Sequence, residues 1–169
     1  MTKFWRKFGS NNFSDIYDKY IDKIYRFVFL KVDSEPIAQD ITSETFTRTL
    51  EYINKNSGNN IKIENIQAFL YRTATNAVID YYRQKSRQNV PLNEFNVRDA
   101  SSMTSEQKTQ IVIIRDALQK LEGEQADVVM WHYVEDLSIK EIAEMLNKPE
   151  GTVRVILHRG LKELRRHLV

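Results

Sequence analysis

The sequence predicts an all-α protein of two small helical domains joined by a flexible linker. Only five glycines and three prolines punctuate its 169 residues. The stretches between them place apolar residues three or four apart, the spacing of one buried helical face. That periodicity fails from about Gln88 to Ser105, where Pro91, asparagines and Ala100-Ser101-Ser102-Met103-Thr104-Ser105 read as a linker between domains. The composition, 41% hydrophobic and 28% charged, is too apolar for a disordered chain.

Four segments follow in order. Residues 1–12 form a basic extension with Lys3, Arg6 and Lys7. Residues 13–87 form the first domain. Phe13, Ile16, Tyr17, Tyr20, Ile24, Phe27 and Val28 make one helical face, and Asp33–Pro36 breaks it. Pro36 suits the first turn of a second helix through Ile37, Ile41, Phe46 and Leu50. Asn54–Asn60 is polar, contains Gly58 and reads as a loop. A long helix then spans Ile66–Arg87, with Ile66, Phe69, Leu70, Thr73, Ala74, Ala77, Val78 and Tyr81 inward. After the linker at 88–105 comes the second domain, 106–169, opening with helical segments Ile111–Leu121 and Gln125–Val134.

The net charge is only +2, but the charges are segregated. Acid gathers in Asp33–Glu51 and Asp116–Asp136, and base in Arg154, Arg159, Lys162, Arg165 and Arg166. Separate surfaces of opposite sign imply a polyanion on one side and a different partner on the other. With no cysteine, disulfides and thiolate metal sites are excluded, and His132, His158 and His167 lack metal-ligand spacing, so neither metal nor cofactor is expected. No signal-peptide core and no bilayer-length apolar run is present, which predicts a soluble, cytoplasmic protein without membrane insertion.

The stretch Asp136–Arg154 is the most informative. Ser138 with Glu141 three residues on is a capping box, and Ile139, Ile142, Ala143 and Leu146 form the buried stripe of a short helix. Asn147-Lys148 is a tight turn, and Pro149 begins a longer basic helix. This is a helix-turn-helix. On the second helix Val153, Ile156, Leu157, Gly160, Leu161, Leu164 and Leu168 share one arc, and Arg154, Val155, His158, Arg159 and Lys162 the opposite one. Arginine there can fork to guanine, and lysine or arginine can neutralise phosphate. The helix N-terminus at Glu150–Thr152 can receive a phosphate, which makes Thr152 a further candidate, although Glu150 opposes this. The bland alternative is a solvated basic face favoured by the helix dipole.

The segment from Val134 to Gly160 closely resembles the C-terminal DNA-binding domain of extracytoplasmic-function (ECF) sigma factors, bacterial RNA polymerase subunits of the sigma-70 type. Ala38–Phe46 resembles the family's polymerase-binding helix, and Ala68–Arg83 resembles its promoter-melting helix, in the family's order and separation. The resemblance implies a first domain that grips the clamp of the largest core RNA polymerase subunit and opens the minus-ten element. It implies a second domain that reads the minus-thirty-five element in promoter DNA. Asp40, Glu44 and Arg48 would then face polymerase, and Arg72, Thr75, Asn76, Ile79, Asp80 and Arg83 the melted strand. Tyr82 is a candidate for stacking on a base or for packing, and the Asn54–Glu64 loop for capturing a flipped base. The family is commonly restrained by an anti-sigma factor. Two departures stand out: Ser43 where the family commonly has Gln, and Val155 and Ile156 where small or basic residues are usual. Val155 offers only apolar contact, for instance with a thymine methyl.

An enzyme is the first rival reading, but the chain has no Gly-rich phosphate loop, no Gly-x-Ser-x-Gly elbow and no convergent carboxylate pair. The second is a helix-turn-helix regulator acting without polymerase. It needs a dimerisation or ligand domain, and 13–87 is neither a heptad seam nor an obvious ligand pocket.

Overall fold

A computed structural model describes residues 10–56, 58, 63–88 and 104–168, with side chains described from residue 13 onward. Residues 1–9 of the basic extension, residues 89–103 of the linker, and residues 57 and 59–62 of the loop before the third helix lie outside the described residues. Among the described residues there are seven helices and no strand: α1 (Ser10–Phe29), α2 (Glu35–Asn56), α3 (Ile66–Arg87), α4 (Ser105–Gln119), α5 (Gln125–Tyr133), α6 (Ile139–Leu146) and α7 (Glu150–Leu168). They form two compact units, one built on α1–α3 and the other on α4–α7.

The first unit closes around one apolar centre. Ile24, Phe27 and Val28 of α1 are fully buried, as are Leu70, Tyr71 and Ala74 of α3. The Phe27 and Tyr71 rings meet edge to face, with centroids 5.2 Å apart. Burying a side chain the size of Ile24, Phe27 or Leu70 stabilises by roughly 1.5–3 kcal/mol each. On α2, Phe46 is buried and meets Tyr17 edge-on at 4.9 Å. Three threonines of α2 are buried too, an unusual choice for a helix interior. Each hydroxyl donates to the carbonyl four residues back, Thr42 to Ala38, Thr45 to Ile41 and Thr49 to Thr45, at 2.6–2.8 Å. Their burial therefore leaves no hydroxyl unpaired.

Tertiary contacts shift several expected boundaries and burials. α2 continues to Asn56, three residues into the expected loop, because Tyr52 packs on the Phe69 ring at 4.8 Å and Asn56 Nδ2 donates to the Tyr52 carbonyl. α3 turns Tyr71 into the centre, while Ile66, Phe69, Thr73 and Tyr81 are only half-buried at its edges. Tyr82 is no exposed stacking platform: it is half-buried, and its hydroxyl donates to the Lys31 carbonyl at 2.7 Å, tying α3 to the end of α1. α4 begins at Ser105, six residues ahead of the expected start. Thr104 and Gln107 form a reciprocal capping box that needs no apolar partner.

In the second unit α7 is the central element, packing on α4, α5 and α6. Val153 and Leu157 are buried, Ile156, Leu161 and Leu164 are half-buried, and Leu168, expected inward, is 53% exposed in the last turn. Gly160 lies where α7 approaches α5 closely. A Cβ there would lie 2.9 Å from Val129 Cγ2 and 3.3 Å from Gln125 Cβ. A helical glycine is normally improved by alanine, by about 1 kcal/mol. Here the overlap with a stiff β-branched neighbour costs more, about 1–3 kcal/mol. Gly160→Ala is expected to lower the melting temperature of the second unit, and Gly160→Val to lower it further. A raised melting temperature in both would mean that α5 and α7 are not locked at this contact.

Candidate nucleic-acid interface

The helix-turn-helix is built by local chemistry. Ser138 Oγ accepts from the Glu141 amide at 3.2 Å, and the Glu141 carboxylate accepts from the Ser138 amide at 2.8 Å, which starts α6. α6 buries Ile142, Ala143 and Met145, while Ile139 and Leu146 are half-buried, so its inward face is rotated toward Met145. Asn147 ends the helix in the left-handed region, at φ 52° and ψ 47°, a conformation asparagine tolerates better than most residues. Its amide donates to the Glu144 carbonyl and that of Lys148 to the Ala143 carbonyl, so the turn leaves these helix-end acceptors satisfied. Pro149 then precedes α7.

All six candidate groove residues on α7 are exposed: Thr152, Arg154, Val155, His158, Arg159 and Lys162. At about 100° per residue, Arg154, His158 and Lys162 drift along one edge of this face, and Val155 and Arg159 lie beside them. Val155 is 48% exposed, an apolar side chain held out among cations. Arg154 is paired across one turn with Glu150 at 2.8 Å. Both partners are open to water, so the pair contributes about 0.3–0.5 kcal/mol and does not prevent the guanidinium from turning to another anion.

The α3 candidates divide into two sets. Arg72, Asn76, Ile79 and Arg83 form one exposed stripe, opposite the side that buries Leu70, Ala74, Ala77 and Val78. Thr75 and Asp80 fall on its flanks and are half-buried, and the Thr75 hydroxyl is buried with no hydrogen-bond partner. Asp80 is charge-paired on both sides, with Arg83 at 3.4 Å and with Arg48 of α2 at 4.0 Å.

The α2 candidates Asp40, Glu44 and Arg48 are all exposed. Four-residue steps rotate by about 40° beyond a full turn, so the row winds toward α3 as it descends. Arg48 therefore reaches Asp80 as well as Glu44, the latter at 2.5 Å. This bridge between the two candidate faces was invisible in the sequence, because the partners are distant along the chain and lie on different helices. Equally hidden was the pairing of Lys148, in the helix-turn-helix turn, with Glu124 ahead of α5.

Among the described residues no cluster of three His, Asp or Glu side chains could hold a metal ion, and no helix is long and apolar enough to cross a membrane.

Comparison with known proteins fits this arrangement. The family model Sigma-70 region 2 matches residues 16–88, spanning α1–α3, and Sigma-70, region 4 matches residues 111–164, covering the helix-turn-helix. The chain is 33% identical to the ECF RNA polymerase sigma factor SigW of Bacillus subtilis, over 96% of this chain and 92% of that protein. It is 27% identical to the ECF RNA polymerase sigma factor BldN of Streptomyces coelicolor, over 92% of this chain but only 60% of that longer protein. Among solved structures, the sigma factor RpoE of Bartonella quintana, crystallised with the anti-sigma factor NepR, shares the fold with a TM-score of 0.68 at 16% identity, over 93% of this chain and 96% of that one. An all-α chain with region 2 on one compact unit and region 4 on the other belongs to the ECF subfamily of sigma-70-type RNA polymerase sigma factors.

Proposed function

We propose that this protein binds core RNA polymerase and directs promoter-specific initiation, with the two units dividing the labour. The carrying observation is that the region 2 and region 4 matches fall on separate units, each with its own exposed polar face. The acidic row of Asp40 and Glu44 on α2, with Arg48, is the polymerase contact, on the clamp of the largest subunit. Residues 13–87 hold this contact and the minus-ten function, and residues 106–169 read the minus-thirty-five element.

On α3 the open stripe of Arg72, Asn76, Ile79 and Arg83 meets the non-template strand. Asparagine and arginine there can hydrogen-bond an unstacked base and its phosphate, and Ile79 gives an apolar surface against a base face. Thr75 and Asp80 flank this stripe and bound the site. On α7 Arg154 and Arg159 read base edges with His158, Val155 makes apolar contact, and Lys162 and Thr152 contact phosphate. The protein performs no chemistry of its own, needs no cofactor and works in the cytoplasm, where polymerase is. An anti-sigma factor is a further expected partner, since the Bartonella relative was crystallised with one.

Arg154→Ala and Arg159→Ala are each expected to weaken upstream-element binding by about 1–3 kcal/mol and to relax base preference. Lys162→Ala should weaken binding to every sequence alike and flatten its salt dependence. Parental binding and transcription in all three variants would remove this face from the interface. The proposal as a whole is tested by size exclusion of the purified chain with core polymerase. Comigration is expected. A chain that elutes apart from polymerase yet binds promoter duplex would instead be an independent helix-turn-helix regulator.

A further inference from the structure

We propose that the cleft between the α4–α5 connection and the second half of α7 seats the phosphodiester backbone of duplex DNA, beyond the groove-reading face. The proposal rests on α7 being the helix that enters the groove. Lys120, at the C-cap of α4, forms one wall, and Arg159, Lys162 and Arg166 of α7 form the other. Two carboxylates, Glu122 and Glu163, oppose these four cations. Glu163 is paired within α7 with Arg166 at 3.0 Å and lies 3.3 Å from His167, which leaves Lys120, Arg159 and Lys162 facing Glu122 alone. The cleft therefore keeps an excess of positive charge drawn from two separate elements.

The arrangement of the cations identifies the class of ligand. Arg159, Lys162 and Arg166 are three and then four residues apart, so they lie along one side of α7 over about 10 Å of helix. A lone anion is best held by donors converging on a point. A row that starts at the base-reading Arg159 and runs on through Lys162 and Arg166, about 6 Å further along the helix, instead matches about two phosphate steps of one strand, at about 3.4 Å each along the duplex axis. Arg159 and Lys162 also belong to the exposed face that starts at Arg154, so a strand leaving the major groove meets cations without a gap. That continuity selects DNA over an acidic peptide. Lys120 and Arg166 would then set affinity without reading sequence, because phosphate carries no base information.

The test is a salt titration of the full chain on two labelled duplexes, one carrying a promoter that the protein selects and one scrambled. Lys120→Ala, and Lys120→Ala with Arg166→Ala, should lower the slope of log K against log salt by about 0.9 for each phosphate no longer neutralised, equally on both duplexes. Glu122→Gln removes an opposing charge and should tighten binding to both. An unchanged slope in the double variant overturns the cleft, as does unchanged affinity in Glu122→Gln should the double variant fail to fold. Arg154→Ala, run in parallel, separates the cleft from the groove-reading face. If it leaves preference for the selected promoter intact, the groove-reading assignment fails, whatever the cleft variants do.

Discussion

Replacing Asp40 and Glu44 together with lysine is expected to abolish binding to core RNA polymerase while leaving the helical content unchanged. Both side chains are exposed on α2, and neither is part of the buried row of Ala38, Ile41, Thr42, Thr45, Phe46 and Thr49. The ion pair removed within the protein, Glu44 with Arg48, is itself open to water and contributes about 0.5 kcal/mol or less. Folding should therefore barely register the change. At an interface the effect is larger, because each reversal converts attraction into like-charge repulsion, which costs several kcal/mol. A combined loss of about 4 kcal/mol weakens binding roughly a thousandfold. Affinity for core enzyme, measured beside circular dichroism, checks both halves of the expectation. Parental affinity in a folded double variant would move the polymerase contact off α2.

Cutting the chain between the units should separate two activities completely. A fragment ending at Gln88 holds all of α1–α3, and one beginning at Thr104 holds the capped start of α4 and everything after it. Each keeps an apolar centre of its own, around Phe27, Leu70 and Tyr71 in the first and Val128, Ile142 and Val153 in the second, so both should fold as helical domains. The first should bind core polymerase and prefer single-stranded non-template DNA to duplex. The second should bind duplex weakly and open nothing. An unfolded first fragment, or one that binds both forms of DNA alike, would refute the division of labour even within this family.

The parts that could be read directly from the sequence are those governed by local rules. The Ser138–Glu141 capping box, the Asn147 turn and the separation of Val153 and Leu157 from Arg154 and His158 depend on residues within one or two helical turns of each other. The same kind of local signal was present at Thr104 and Gln107, but it precedes the first apolar residue, so periodicity alone started α4 too late. Other features depend on distant partners. Nothing near Tyr82 announces the Lys31 carbonyl that anchors it, and nothing near Arg48 announces Asp80. The rotation of α3 that buries Tyr71 and leaves Phe69 at the edge follows from α3 covering α1 with one flank and Tyr52 of α2 with the other. A helix that serves two neighbours has two partly apolar flanks, and its periodicity cannot rank them. The candidate DNA faces were easier to read, since an exposed charged stripe is defined by the helix that carries it.

In vitro initiation from duplex DNA joins both units in one measurement. Core polymerase supplied with this chain and a library of promoter fragments should start transcripts at defined positions that share an upstream and a downstream element. Arg154→Ala should change the preferred upstream element, and Asn76→Ala should reduce opening at the downstream one. Core polymerase that initiates no more specifically with the chain than without it, under conditions where the chain is folded and binds duplex DNA, would contradict the assignment.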